Sequence, residues 1–210
     1  MPTPETLVAF VIAALLVLLI PGPGFIYVIA RSLSQGRAAG LVSALGLSAG
    51  ALVQVLAAVA GLSAILMASA TAFGVVKLLG AAYLVYLGIR TLLARSTGET
   101  GTHVAAGTSL RLFVDGVVVN SLNPKIAIFF LAFLPQFVDP AVGPVALQFL
   151  YLGLVFVVLA LLVDGTLAML ATAFRDRFGP RTSLGPLPRY ATSAVYIGLG
   201  LATALVERRS

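Results

Sequence analysis

Two ionisable residues, Lys125 and Asp164, stand deep within apolar stretches, with Leu, Val, Ile, Ala and Phe to either side. Lys125 lies about 10 residues, ~15 Å along a helix, from the end of its stretch near Pro135, and Asp164 lies about 11 residues, ~16 Å, from Arg175. If these stretches cross a bilayer, both residues sit near its centre, where an ionisable group is costly enough to imply a task. Two arrangements are open. The residues can form a fixed ion pair that orders a helix bundle. Alternatively, Asp164 alternates between protonated and charged forms, coupling solute movement to proton movement, while Lys125 meets a carboxylate of the solute.

Two helix-breaking motifs accompany these charges: Pro21-Gly22-Pro23-Gly24, and Asn123-Pro124-Lys125. Proline removes a backbone N–H and displaces the carbonyl four residues earlier, and glycine loosens the turn further. In hydrocarbon the freed groups must meet protein, water or a ligand. Helices restarting near Gly24 and Lys125 would direct positive N-terminal ends into the membrane interior, where a carboxylate suits them. Carbonyls near Leu18 to Ile20 and Val119 to Leu122 would be left to accept from an ammonium group. A zwitterionic amino acid matches both poles. Gly116, Asn120, Asn123 and Ala127 recur at helical spacing, a small and polar face on which Asn120 and Asn123 either read a substrate or bond a neighbouring helix.

Several function classes are excluded. With no cysteine and one histidine, His103, the chain offers no disulfide, thiol relay or metal-ligand set. No cofactor or metal is expected, and neither a nucleophile constellation nor a paired-aspartate site points to an enzyme. No phosphate-binding loop appears, so an ion gradient is the expected energy source. The formal charge of +6 is scattered among short loops, which argues against a nucleic-acid partner. Arg111 and Asp115, four apart, are expected to pair along one helix. Gln54 is expected to bond between helices, and Lys77 to snorkel outward. The glycine spacings Gly36 to Gly40 and Gly46 to Gly50 allow close helix packing, within the chain or across a homodimer.

The elements that would position these residues follow from hydropathy. The chain has 210 residues, is 60% hydrophobic and only 10% charged, and has a mean hydropathy of +1.10. Cutting its apolar runs at charges and Gly/Pro clusters gives six segments: Leu7 to Ala30, Gly40 to Met67, Phe73 to Leu93, Leu112 to Leu134, Val145 to Phe174, and Tyr190 to Val206. Leu7 to Ile20 reads as a retained helix, not a signal peptide, because Glu5 precedes it without a basic residue and the apolar run continues to Ala30. The expected fold is an all-α integral membrane protein of about six transmembrane helices, forming one domain over residues 1–210.

A Gly/Thr/Ser-rich loop, 94–109, divides the chain into halves 1–93 and 110–210. Three spans per half force opposite insertion if both halves share one unit, which makes a 3+3 inverted repeat with a broken first helix in each half. Basic residues set the orientation. With the N-terminus outside, nine of them (Arg31, Arg37, Arg90, Arg95, Arg111, Arg175, Arg177, Arg181 and Arg189) fall inside, against Lys77, Arg208 and Arg209 outside.

The chain resembles the lysine exporter (LysE/RhtB) family of amino-acid and threonine or homoserine exporters. The resemblance is carried by Ile20 to Gly24, by Gly36, Gly40, Gly46 and Gly50, and by Lys77-Leu78-Leu79-Gly80-Ala81-Ala82-Tyr83-Leu84-Val85-Tyr86-Leu87-Gly88. It is carried most specifically by Asn120-Ser121-Leu122-Asn123-Pro124-Lys125, followed by Phe129-Phe130 and Leu134-Pro135-Gln136-Phe137. It implies a bacterial inner-membrane secondary exporter, driven by an ion gradient and commonly proton-coupled, that expels amino acids or their analogues. It carries transport roles onto Pro21, Gly22, Pro23, Gly24, Asn123, Pro124 and Lys125; the role of Asp164 rests on its depth. The expected partners are an amino-acid-like substrate, a proton or other coupling ion, the lipid bilayer and a possible second copy. A passive small-solute channel and a membrane-embedded structural protein are the competing readings.

Overall fold

A computed structural model of the chain describes residues 2–68, 89 and 108–178, and among them every regular element is helical. Helix α1 (Pro4–Leu19) opens where the Thr3 hydroxyl accepts from the Thr6 N–H and Pro4 takes the first turn, whose missing N–H needs no partner. It closes at Ile20, which is extended, as a residue before proline prefers. After Gly22 the chain restarts as α2 (Pro23–Gln35), bent by 57° from α1. Gly36 ends α2 at φ 85, a left-handed turn that favours glycine, and α3 (Arg37–Ala68) begins at the next residue.

The second broken span repeats this logic. Helix α4 (Ser109–Ser121) is capped by Thr108, and α5 (Pro124–Ile128) is capped by Asn123, with a bend of 45° between the two. The chain then widens into a π turn at Phe129–Phe133 and tightens into a 3₁₀ turn at Leu134–Phe137. Pro135 lacks the N–H that a regular helix would offer to Leu131, which accounts for the change of pitch. Helix α6 (Val145–Phe178) is continuous.

Helices α3 and α6 are each long and apolar enough to cross a membrane, and the two bent pairs pass the same test when each is taken as one span. Four of the six expected spans therefore have counterparts. Phe73 to Leu93 apart from Ile89, Tyr190 to Val206, and most of the loop 94–109 lie outside the described residues.

The two broken spans run antiparallel. Before the first break, Phe10 of α1 meets residues after the second break, at ring-centroid distances of 6.0 Å to Phe129 and 5.3 Å to Phe137. After the first break, Arg31 of α2 meets Asp115 of α4 at 3.1 Å, and the Tyr27 hydroxyl donates to the Leu112 carbonyl at 2.8 Å. The breaks themselves meet in the middle. Helix α3 packs along α4 by small residues: a Cβ on Gly46 would strike the Phe113 carbonyl, and one on Gly116 would lie 2.9 Å from the Ser43 carbonyl. Gly46 and Gly50 thus serve packing within the chain. Leu, Ile and Val side chains such as Val8, Ile12, Val53, Leu56, Leu147 and Leu162 point outward, while Ala44, Ala51, Ala58 and Ala160 are buried between helices. Lipid would solvate those outer faces, where water would penalise them.

Candidate functional site at the crossing of the broken helices

At both breaks, carbonyls at the helix ends accept from side chains of the chain itself. At the first break the Lys125 ammonium donates to Val17 O at 3.1 Å and to Ile20 O at 3.0 Å. At the second, the amide nitrogen of Gln54 on α3 donates to the carbonyls of Asn120 at 2.8 Å, Ser121 at 3.2 Å and Asn123 at 3.1 Å. Ile20, Asn120 and Ser121 are among the carbonyls that the sequence leads one to expect to be left for a ligand. The reason they are not is that an apolar surround makes an unmet carbonyl expensive, and Lys125 and Gln54 lie close enough to meet them.

The asparagines build the second break. Asn120 Nδ2 donates to Leu47 O at 2.7 Å, and its Oδ1 accepts from Asn123 Nδ2 at 3.2 Å. Asn123 Oδ1 accepts the Lys125 backbone N–H at 3.1 Å, which caps α5 and fixes the base of the lysine side chain. Asn120 thus bonds to the neighbouring helix α3, whereas the Asn123 side chain bonds within its own broken span.

Lys125 is 5% exposed and Asp164 8% exposed, and both border a cavity of about 20 Å³. Gly24, Asn120 and Asn123 also line it, with Leu18, Phe25, Leu47, Ile126 and Ala160 forming the apolar part of the wall. Asp164 makes no hydrogen bond and no N–O contact within 4.0 Å with any described residue, so the fixed ion pair with Lys125, one of the two arrangements open from the sequence, is not formed here. The volume holds about one water, far less than an amino acid.

The structure thus brings Gly24, Asn120, Asn123, Lys125 and Asp164 to one cavity. Gly22 lies beside it: a Cβ there would be 3.4 Å from both Cε and Nζ of Lys125. Pro21, Pro23 and Pro124 do not line the cavity, and Pro23 and Pro124 face outward. They break the helices and set the bends without presenting a surface to a ligand. The expected Arg111–Asp115 pair is replaced by Arg31–Asp115, because Arg31 lies over the Tyr27 ring at 5.3 Å in the groove between α2 and α4 while Arg111 faces outward. Gln54 carries more of the site than its sequence suggests. Its signal was a buried-type polar residue within an apolar helix, which marks a hydrogen-bond partner without naming it.

Beyond the crossing, the second broken span is held by α6 on the Phe10 side and by α2 on the other. On the Phe10 side, Phe129 packs on Phe156 at 5.2 Å and Phe130 on Phe156 at 4.9 Å. On the other side stand Arg31, Asp115 and Tyr27.

A family profile described as LysE type translocator matches residues 15–205. A homoserine/homoserine lactone efflux protein of Salmonella typhimurium is 34% identical, over 93% of this chain and 95% of its own. An uncharacterized membrane protein of Pseudomonas aeruginosa is 31% identical over 94% and 95%, and a leucine efflux protein of Salmonella typhimurium 24% identical over 94% of each. No solved structure gives a significant match. Matched by the family profile nearly from end to end, this multi-pass membrane chain belongs to the LysE type translocator family.

Proposed function

We propose that this chain is a secondary active exporter of amino acids or closely related small metabolites across the bacterial inner membrane, driven by proton antiport. The observation that carries the reading is the convergence of Lys125 and Asp164 on one small cavity where two antiparallel broken helices cross. The efflux relatives supply the substrate class: homoserine and its lactone for one, leucine for another.

The transport site in this reading comprises Gly22, Gly24, Asn120, Asn123 and Lys125, with Pro21, Pro23 and Pro124 setting the breaks. Asp164 is the coupling group. Protonated from the outside and deprotonated toward the inside, it lets acid outside drive export. Lys125 is the charged and titratable group that faces it across the cavity among the described residues. The antiparallel crossing supports a single domain of two inverted halves, 1–93 and 110–210, joined by the loop 94–109, with both termini outside. The contacts that hold the second broken span on both sides of the crossing favour a carrier that opens alternately over a continuous pore.

The test is transport by purified protein in vesicles with an imposed pH gradient. Accumulation of labelled homoserine or leucine against its own gradient is the expected result. Movement only down the substrate gradient would assign a channel, and movement of no amino acid would overturn the reading.

A further inference from the structure

The Lys125 ammonium makes, within the protein, the contacts that an amino acid's α-ammonium would seek: it is a tetrahedral –NH₃⁺ donating to two backbone carbonyls at the end of a broken helix. Three observations bear on whether these contacts could be exchanged. The end of the lysine stem lies over Gly22, whose lack of a side chain leaves Cε and Nζ facing bare backbone there. The carboxylate of Asp164 stands on the same cavity and meets no hydrogen-bond partner among the described residues. The cavity, at about 20 Å³, admits an amino acid only if something withdraws, and Lys125 is the longest flexible side chain on its wall.

We propose that Lys125 is a built-in stand-in for the ammonium group of the substrate: it holds the Val17 and Ile20 carbonyls when no substrate does, and yields them to the substrate's α-ammonium by swinging toward Asp164. The proposal rests on the reading of this chain as an amino-acid exporter and specifies how its site is used. Its physical basis is the demand that carbonyls buried in an apolar surround be met in every step of the cycle. An exporter returns across the membrane without its cargo on every turnover. A tethered ammonium keeps the broken end of α1 satisfied during that return, and the cargo's ammonium does so on the outward step. Lys125 is accordingly a positioning residue for the unloaded carrier as well as a wall of the loaded one.

The test compares two rates in vesicles containing the full chain: exchange of labelled leucine or homoserine for unlabelled amino acid, and net efflux into amino-acid-free medium. Only net efflux requires unloaded return. In Lys125→Met, which keeps the length but not the donors, net efflux should fall about tenfold more than exchange, the order expected for losing a buried charged hydrogen bond. An unchanged ratio in a variant that still exchanges overturns the proposal. A second arm uses the unmodified protein, so that a misfolded variant cannot leave the question open. N-acetylleucine, which lacks the ammonium group, should fail to compete with labelled leucine, and equal inhibition by leucine and N-acetylleucine overturns the proposal as well. If the unmodified protein moves neither amino acid, the functional reading itself fails; transport with an unchanged ratio sinks only the stand-in role.

Discussion

The side-chain amide of Gln54 donates to the carbonyl of Asn120 at 2.8 Å, and this bond fastens α3 to the broken end of α4. The same nitrogen reaches the carbonyls of Ser121 and Asn123, so one side chain closes the second break. Gln54→Leu removes the donor while keeping the bulk. It should destabilise the protein by about 1–3 kcal/mol, the cost of leaving buried acceptors unmet. Thermal unfolding in detergent checks this, and an unchanged midpoint would show that the carbonyls find other donors.

Helices α3 and α4 approach so closely that the glycines between them have no room for a side chain. A Cβ on Gly50 would fall 2.5 Å from the Val117 carbonyl, whereas one on Gly61 or Gly165 would meet no described residue within 4 Å. Gly50→Ala should therefore cost about 1–3 kcal/mol through overpacking. Gly61→Ala and Gly165→Ala, at helical positions with open space among the described residues, should be neutral or stabilising by up to about 1 kcal/mol. Unfolding midpoints of the three variants, measured side by side, test the packing directly.

The breaks could be read from the sequence because proline has one physical meaning inside an apolar run: a missing donor and a displaced carbonyl. Their positions at Pro21 to Gly24 and Asn123 to Lys125, and the depth of Lys125 and Asp164, follow from counting residues. What fills the freed carbonyls does not follow, because it depends on contacts between segments far apart in the chain. Lys125 reaches Val17, and Gln54 reaches Asn120, only once the spans are packed. The Arg31–Asp115 pair shows the same limit. Spacing alone favours Arg111, four residues away on the same helix, and only the antiparallel docking of α2 on α4 brings Arg31 nearer.

Arg31 and Asp115 tie the two broken spans together on one side of the cavity. Separating these spans is the motion that would open that side, so either Arg31→Ala or Asp115→Ala should change the export rate. The exchanged pair Arg31→Asp with Asp115→Arg should recover part of the loss. A coupling on the order of 1 kcal/mol between the two positions is expected from a double-mutant cycle on transport rate. Strict additivity would show that the pair does not act as a unit.

Asp164 is the proposed proton carrier, and its amide variant cannot ionise. Asp164→Asn should lose uphill export driven by acid outside, with a fall of at least about tenfold. It should also flatten the dependence of export on pH while retaining some downhill exchange. Uphill export with an unchanged pH profile would remove Asp164 from the coupling step.

The absence of cysteine from the sequence permits one test of where the substrate binds. Ala160 lines the cavity on α6, and Ile12 on α1 points outward. In Ala160→Cys, the rate of modification by a small thiol reagent should fall several-fold when leucine or homoserine saturates transport, and in Ile12→Cys it should not change. If saturating concentrations of a transported amino acid leave the Ala160→Cys rate unaltered, the cavity at the crossing of the broken helices is not the transport site.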